Sequence, residues 1–220
     1  IKEAIYKKGH LLSSVSNARL FDEFCKIFLN GMAEKNFNKL VSFGLNKYLV
    51  STNLNGCEFS NQLIIEALRN TDNRIKNNQS VTPGFLIAAL LWPQLIKKSL
   101  KGNEINLKKF FRSMDPILRN QQKITAIPRK FHTYIKDIWV LQLKLHSRIG
   151  RQPYKTLKHP RFRAAYDFLL VREKAAAKTK DLGFWWTEFQ KNNEYLKKKL
   201  INDMKKNNLE ESSKIFGFSK

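Results

Sequence analysis

The sequence predicts an all-α protein, a multi-helix array with no sheet, and three observations carry that prediction. Apolar residues recur at helical spacing through most of the chain, several of these stretches open on a capping residue or a first-turn proline, and no segment reads as a strand.

Taken in order, the first clear helix carries Leu20, Phe21, Phe24, Cys25, Ile27 and Phe28 on one face, with Ser16 or Asn17 placed to cap it and Gly31 placed to end it. A second, Phe37 to Leu45, gives way to the turn-rich Ser51 to Gly56, where a segment boundary is expected. The pattern resumes from Asn61 to Ala67, and Thr71, Asp72 and Asn73 are expected to interrupt it. Thr82 and Pro83 announce the next helix, whose run Phe85 to Trp92 is apolar on every side, and Pro93 is expected to kink or end it. Leu107, Phe110, Phe111, Met114, Ile117 and Leu118 form another stripe. Pro128 opens the clearest helix, with Phe131, Ile135, Ile138, Trp139, Gln142 and Leu145 on one face and an end expected near Gly150. Pro160 starts the next, through Phe162, Ala165, Tyr166 and Leu169. After a break at Lys180 to Gly183, the residues Leu182, Trp185, Trp186 and Phe189 continue the pattern. Beyond Gln190, a Lys-, Asn- and Glu-rich composition with scattered Leu and Ile suits a solvated last helix and a frayed end.

With 220 residues, 42% of them hydrophobic, the chain can bury a real core. Lys and Arg number 41 against 18 Asp and Glu, a formal net charge of +23 that attracts a polyanion, nucleic acid first among them. An AT-rich genome, which inflates Lys and Asn, is the competing explanation of that total. Cys25 and Cys57 form no CxxC pair and have no neighbouring His, so neither a zinc site nor a disulfide framework is expected and a reducing, cytoplasmic setting fits. The longest apolar run is far shorter than the roughly 20 residues of a membrane span, and no signal-peptide pattern opens the chain, so no membrane partner is expected.

No self-contained active site is expected. His10, His132, His146 and His159 lack the spacing of zinc ligands, and no P-loop, GxGxxG or GxSxG occurs. His132 and His146 read as surface or core-edge residues, and His159 as part of a helix start. Asp22 with Lys26, and Glu66 with Arg69, have the spacing of helix ion pairs. The cations are more informative. Lys144, Arg148, Arg151, Lys155, Lys158, Arg161, Arg163 and Arg172 crowd one window in which Tyr154, Phe162 and Tyr166 are interleaved, a combination that suits phosphate neutralisation and base stacking. On the plainer reading the rings are core and the cations a solvated face, which for Phe162 and Tyr166 is the preferred expectation.

The segment HPRFRAAYDFLLVRE, His159 to Glu173, followed by GFWWTEFQ, Gly183 to Gln190, closely resembles the C-terminal region of bacterial poly(A) polymerases. Earlier segments agree in the same order: ARLFDEFCKIF from Ala18, LRNTDNRI from Leu68, TPGFLIAALLW from Thr82, then IPRKF and DIWVLQLKLHSRIGRQPYKTL. The resemblance extends over nearly all of the chain to Gln190, and the CCA-adding enzymes are similar to the same family.

It implies four parts: neck helices over 1–50, a helical body over 51–127, a basic RNA-binding region over 128–190, and a Lys/Asn-rich helix and tail over 191–220. Arg19, Asp22 and Glu23 match the neck motif that braces the nucleotide site. Lys144, Arg148, Arg151, Lys155, Lys158, Arg161 and Arg163 are the expected RNA contacts. The family's catalytic carboxylates lie upstream, so no catalytic or metal-binding residue is expected in this chain. Mg2+ and ATP belong to an N-terminal catalytic head, which with single-stranded RNA 3′ ends is an expected partner; the chain alone is expected to be inactive. The segment after Gln190 departs from the arginine-rich tail common in the family, and lysine lacks guanidinium's planar fork. Two other readings remain open: the corresponding half of a CCA-adding tRNA nucleotidyltransferase, and a non-catalytic helical interaction module.

Overall fold

Most of the helices begin where the sequence supplies a capping oxygen or a proline. In a computed structural model that describes residues 2–51, 58–102, 104–175, 177, 179 and 181–207, and only the backbone of Phe59, Lys206 and Asn207, the order is α1 (Lys2–Lys8), a 3-10 turn (Gly9–Ser14), α2 (Asn17–Phe28), α3 (Ala33–Ser42), a 3-10 turn (Asn46–Tyr48), α4 (Glu58–Lys76) and α5 (Pro83–Ser99). A two-residue hairpin follows, β1 (Leu100–Lys101) and β2 (Glu104–Ile105), then α6 (Leu107–Gln122), α7 (Arg129–Lys144), α8 (Gln152–Leu157), α9 (Phe162–Lys174), α10 (Leu182–Lys191) and α11 (Glu194–Asn207). Expectations for residues 52–56, Cys57, Lys180 and the frayed end from 208 onward lie outside the described residues.

The Ser16 hydroxyl caps α2 by accepting the Arg19 backbone N–H at 3.4 Å, Thr82 caps α5 through Phe85 at 3.3 Å, and Asn106 caps α6 through Lys109 at 2.9 Å. Pro83 stands in the first turn of α5, where its missing donor costs nothing.

The fold is predominantly α-helical, as the periodicity predicts, with four local corrections. The expectation of no strand is amended by the antiparallel ladder that pairs Leu100 with Ile105 and Lys101 with Glu104. Thr71, Asp72 and Asn73 do not interrupt α4. The Thr71 hydroxyl bonds back to the Ala67 carbonyl at 3.0 Å, while Asp72 turns outward to cap α3, accepting the Ala33 and Glu34 backbone N–H groups at 2.6 and 3.1 Å. Pro93 does not end α5, which runs on to Ser99. Helix α7 stops at Lys144, and Gly150 lies in the turn leading to α8 with φ +61°.

Helix α5 packs against α4, α6, α7 and α9 and supplies an almost unbroken buried run from Leu86 to Trp92. It approaches α7 closely at Gly84, where a β-carbon would stand 2.8 Å from the Tyr134 ring and 3.0 Å from that of Phe131. Around it α2–α7 form one apolar core, to which α9 contributes Phe168 and Val171. The other side of α9 enters a second, aromatic core with α7, α10 and α11, in which Phe162, Tyr166, Trp185, Trp186 and Phe189 meet. Trp186 anchors it by donating to the Leu145 carbonyl at 2.8 Å.

Candidate nucleic-acid interface

The short helix α8 turns its buried Pro153 and Thr156 inward and leaves Arg151, Lys155 and Lys158 exposed at successive turns. Helix α11 presents Lys198 and Lys205 from its facing side, and the two helices enclose an open trough of about 580 Å³. Tyr154 lines this trough and packs edge-on against Phe189, 5.3 Å between centroids. Burial pushes the Tyr154 phenol above its ordinary range, helped by the neighbouring Glu194 charge. Glu194, among the described residues the one carboxylate on the trough wall, is paired with Lys197 at 3.2 Å. Five cations therefore face one carboxylate whose charge is already engaged, an arrangement that favours a polyanion.

Arg161 and Arg163 lie elsewhere. They line a smaller cavity of about 250 Å³ together with Arg74 of α4, Phe85 of α5, Tyr134 of α7 and Asp167 of α9. The Arg161 guanidinium lies over the Tyr134 ring at 4.9 Å. Asp167 is clamped between Arg74 at 3.0 Å and Arg163 at 3.1 Å, which ties α4 to α9. Burial pushes its carboxyl above the usual carboxylate range, against the pull of both guanidiniums. Of the remaining candidates, Lys144 is exposed at the end of α7, and Arg148 is half-buried with its guanidinium 6.0 Å from the Trp185 ring. The seven cations are thus distributed over two concave places and the flank beside them.

Arg172, an eighth cation of the same window, cannot serve as a phosphate contact. It is 3% exposed, donates to the Gln142 side chain at 2.9 Å and lies over Trp92 at 4.9 Å, and burial lowers its guanidinium to about 10. It is an interior strut between the two cores. Phe162 and Tyr166 are core residues, as preferred from sequence.

Arg19, Asp22 and Glu23 share the outer face of α2, opposite the buried Leu20, Phe21, Phe24 and Phe28. Lys26 pairs with Glu23 at 2.8 Å rather than with Asp22, and this hydrogen bond holds the Glu23 carboxyl below its ordinary range. Glu66 and Arg69 do pair, at 2.9 Å, and Arg69 also grips Glu34. His159 accepts the Arg161 backbone N–H at 3.1 Å, fixing the start of α9. His146 is largely buried, and burial followed by the Arg172 and Arg148 charges depresses it to about 3. Among the described residues no group of three His, Cys, Asp or Glu side chains could hold a metal ion. No described helix is long and apolar enough to cross a membrane.

Sequence reasoning missed Arg74, Tyr134, Lys198 and Lys205. The two lysines stand two turns apart on one face of α11, a pattern visible in the sequence, but nothing there shows that this face meets α8. Arg74 and Tyr134 are brought to Arg161 only by the packing of α4 and α7 on α9.

These features define a class, an all-α chain with a cation-walled trough. Residues 103–214 match the family described as "Polymerase A arginine-rich C-terminus", and residues 1–52 match the one described as "Probable RNA and SrmB- binding site of polymerase A". The chain belongs to the polymerase A C-terminal family. It is 33% identical over 213 residues to poly(A) polymerase I of Salmonella typhimurium, covering 92% of this chain and 46% of that protein. With the enzyme of the same name from Escherichia coli O6:H1 it shares 35% over 199 residues, covering 86% and 43%; with that of Haemophilus influenzae, 32% over 215 residues, covering 93% and 48%. The chain spans about half the length of the curated relatives it matches.

Proposed function

We propose that this chain is the RNA-holding part of a polynucleotide adenylyltransferase, an enzyme that adds AMP from ATP to RNA 3′ ends in RNA processing and decay. The observation that carries the reading is the trough between α8 and α11, where Arg151, Lys155, Lys158, Lys198 and Lys205 oppose, among the described residues, one already paired carboxylate. Cations at successive turns neutralise consecutive phosphates of a flexible strand. Nucleotidyl transfer, with Mg2+ and ATP, is the work of a catalytic head outside the described residues, and the exposed outer face of α2 with Arg19, Asp22 and Glu23 is where that part would be braced. Adenylate rather than CCA addition is proposed because the relatives matched are named poly(A) polymerases. A cytoplasmic setting agrees with Cys25 as a free thiol.

The test is anisotropy of a fluorescent oligo(A) with this 220-residue chain across a salt series, with duplex DNA and an ATP-incorporation assay alongside. Salt-sensitive oligo(A) binding without incorporation is the expected result. Failure to bind RNA at low salt contradicts the RNA-holding role, and incorporation of adenylate contradicts the assignment of chemistry to a separate head.

A further inference from the structure

We propose that the cavity where α4, α5, α7 and α9 meet is a subsite for one nucleotide unit, a phosphate with its base, with Arg161 as the base platform and Arg163 as the phosphate ligand. The inference deepens the RNA-holding reading and rests on it.

Segments that lie far apart in sequence converge here. LRNTDNRI supplies Arg74, TPGF supplies Phe85, and HPRFRAAYD supplies Arg161, Arg163 and Asp167. The segments that carry the family resemblance thus line a solvent-open cavity, not only the interior. Three guanidiniums face one carboxylate, which leaves two positive charges in excess. Arg74 is held in place, donating to Asp167 and, at 3.1 Å, to the Ser80 carbonyl.

The other two are differently disposed. Arg161 is exposed, makes no ion pair among the described residues and lines the cavity with its guanidinium 4.9 Å from the Tyr134 ring centroid; an exposed guanidinium plane beside an aromatic ring is a surface on which a base stacks. Arg163 has a side chain 71% exposed and engages Asp167 through Nε. Its two terminal nitrogens make no further hydrogen bond among the described residues, and that free edge has the fork geometry of a bidentate phosphate contact. The cavity, at about 250 Å³, lies just under the range of roughly 300–1,000 Å³ typical of small-molecule pockets. A single base with its phosphate suits that size better than a longer ligand. Lys158 lines the trough and Arg161, three residues on, lines the cavity, so the chain between them spans at most about 11 Å. A strand lying in the trough can therefore place a nucleotide in the cavity.

The experiment compares the 220-residue chain with Arg161→Lys, which keeps the charge and removes the flat platform. Anisotropy is read for oligo(A) and for an abasic oligomer of the same length, with free AMP as competitor and melting temperature as the control for folding. The expected result is a loss of about tenfold in oligo(A) affinity, the scale of one base–aromatic stack, with little change for the abasic oligomer and none in melting temperature. Displacement of oligo(A) by AMP from the wild-type chain, weakened in Arg161→Lys, identifies a free nucleotide as an occupant; Arg161-dependent oligo(A) binding that AMP does not disturb assigns the subsite to the polymer. Wild-type binding that is salt-sensitive but identical in Arg161→Lys overturns the subsite and leaves the RNA-holding reading intact. No oligo(A) binding by the wild-type chain overturns both.

Discussion

Two sets of cations, one tied into the helix packing and one lining the trough between α8 and α11, are treated in opposite ways. One set meets carboxylates: Arg69 grips Glu34 and Glu66, Arg74 and Arg163 grip Asp167, and Lys136 of α7 reaches back to Asp115 of α6 at 2.5 Å, which draws the Asp115 carboxyl below its usual range. From Lys144 to Arg163 the sequence contains no Asp or Glu. There Arg148 lies over Trp185 and Arg161 over Tyr134, while Arg151, Lys155 and Lys158 have no ion pair among the described residues. The fold neutralises the first set itself and leaves the second to an external polyanion.

That contrast depends on the aromatic core beneath the basic region being a true core. Trp186→Ala removes its central ring and the hydrogen bond to Leu145, and an expected loss of about 3–5 kcal/mol in chemical unfolding checks it. Stability close to wild type shows instead that α10 and α11 are merely draped on α9.

A second test uses His146, which lies under the basic surface. Its folded pKa of about 3 is below the ordinary 6.5, so the unfolded chain takes up a proton that the folded chain refuses. Stability from this residue is complete above pH 6.5 and is lost as pH falls toward 3, by up to about 5 kcal/mol at 1.36 kcal/mol per unit. Melting curves against pH for wild type and His146→Leu check it: the part of the acid slope due to this residue disappears in the variant.

In the body, Asp72→Ala strips the cap from α3 and is expected to cost about 1–2 kcal/mol in urea unfolding, with RNA affinity unchanged. A drop in RNA affinity at intact fold breaks the division between the two regions.

Much of the architecture was legible because helix starts advertise themselves: Ser16, the Thr82–Pro83 pair and Asn106 stand where capping chemistry requires. What escaped is information held in partners. Asp72 looks like a helix breaker until α3 is seen to need its carboxylate, and Thr71 until its hydroxyl is seen to bond back along its own helix. Arg172 reads as one more surface cation, although it follows Phe168 and Leu169 at the spacing that turns it inward. The basic window was visible as a run of letters, but its division into trough and cavity was not, because α11 and α4 complete them from more than 30 positions away.

The most direct test of the central claim is the salt dependence of oligo(A) binding to a variant with Arg151, Lys155 and Lys158 all changed to Gln. At about 0.7 per phosphate contact for a single strand, the slope of log affinity against log salt is predicted to fall by about 2, with the melting temperature unchanged. An unchanged slope in a folded variant means that RNA, if bound, is not held in the trough between α8 and α11, and contradicts the claim that these unpaired cations await a polyanion.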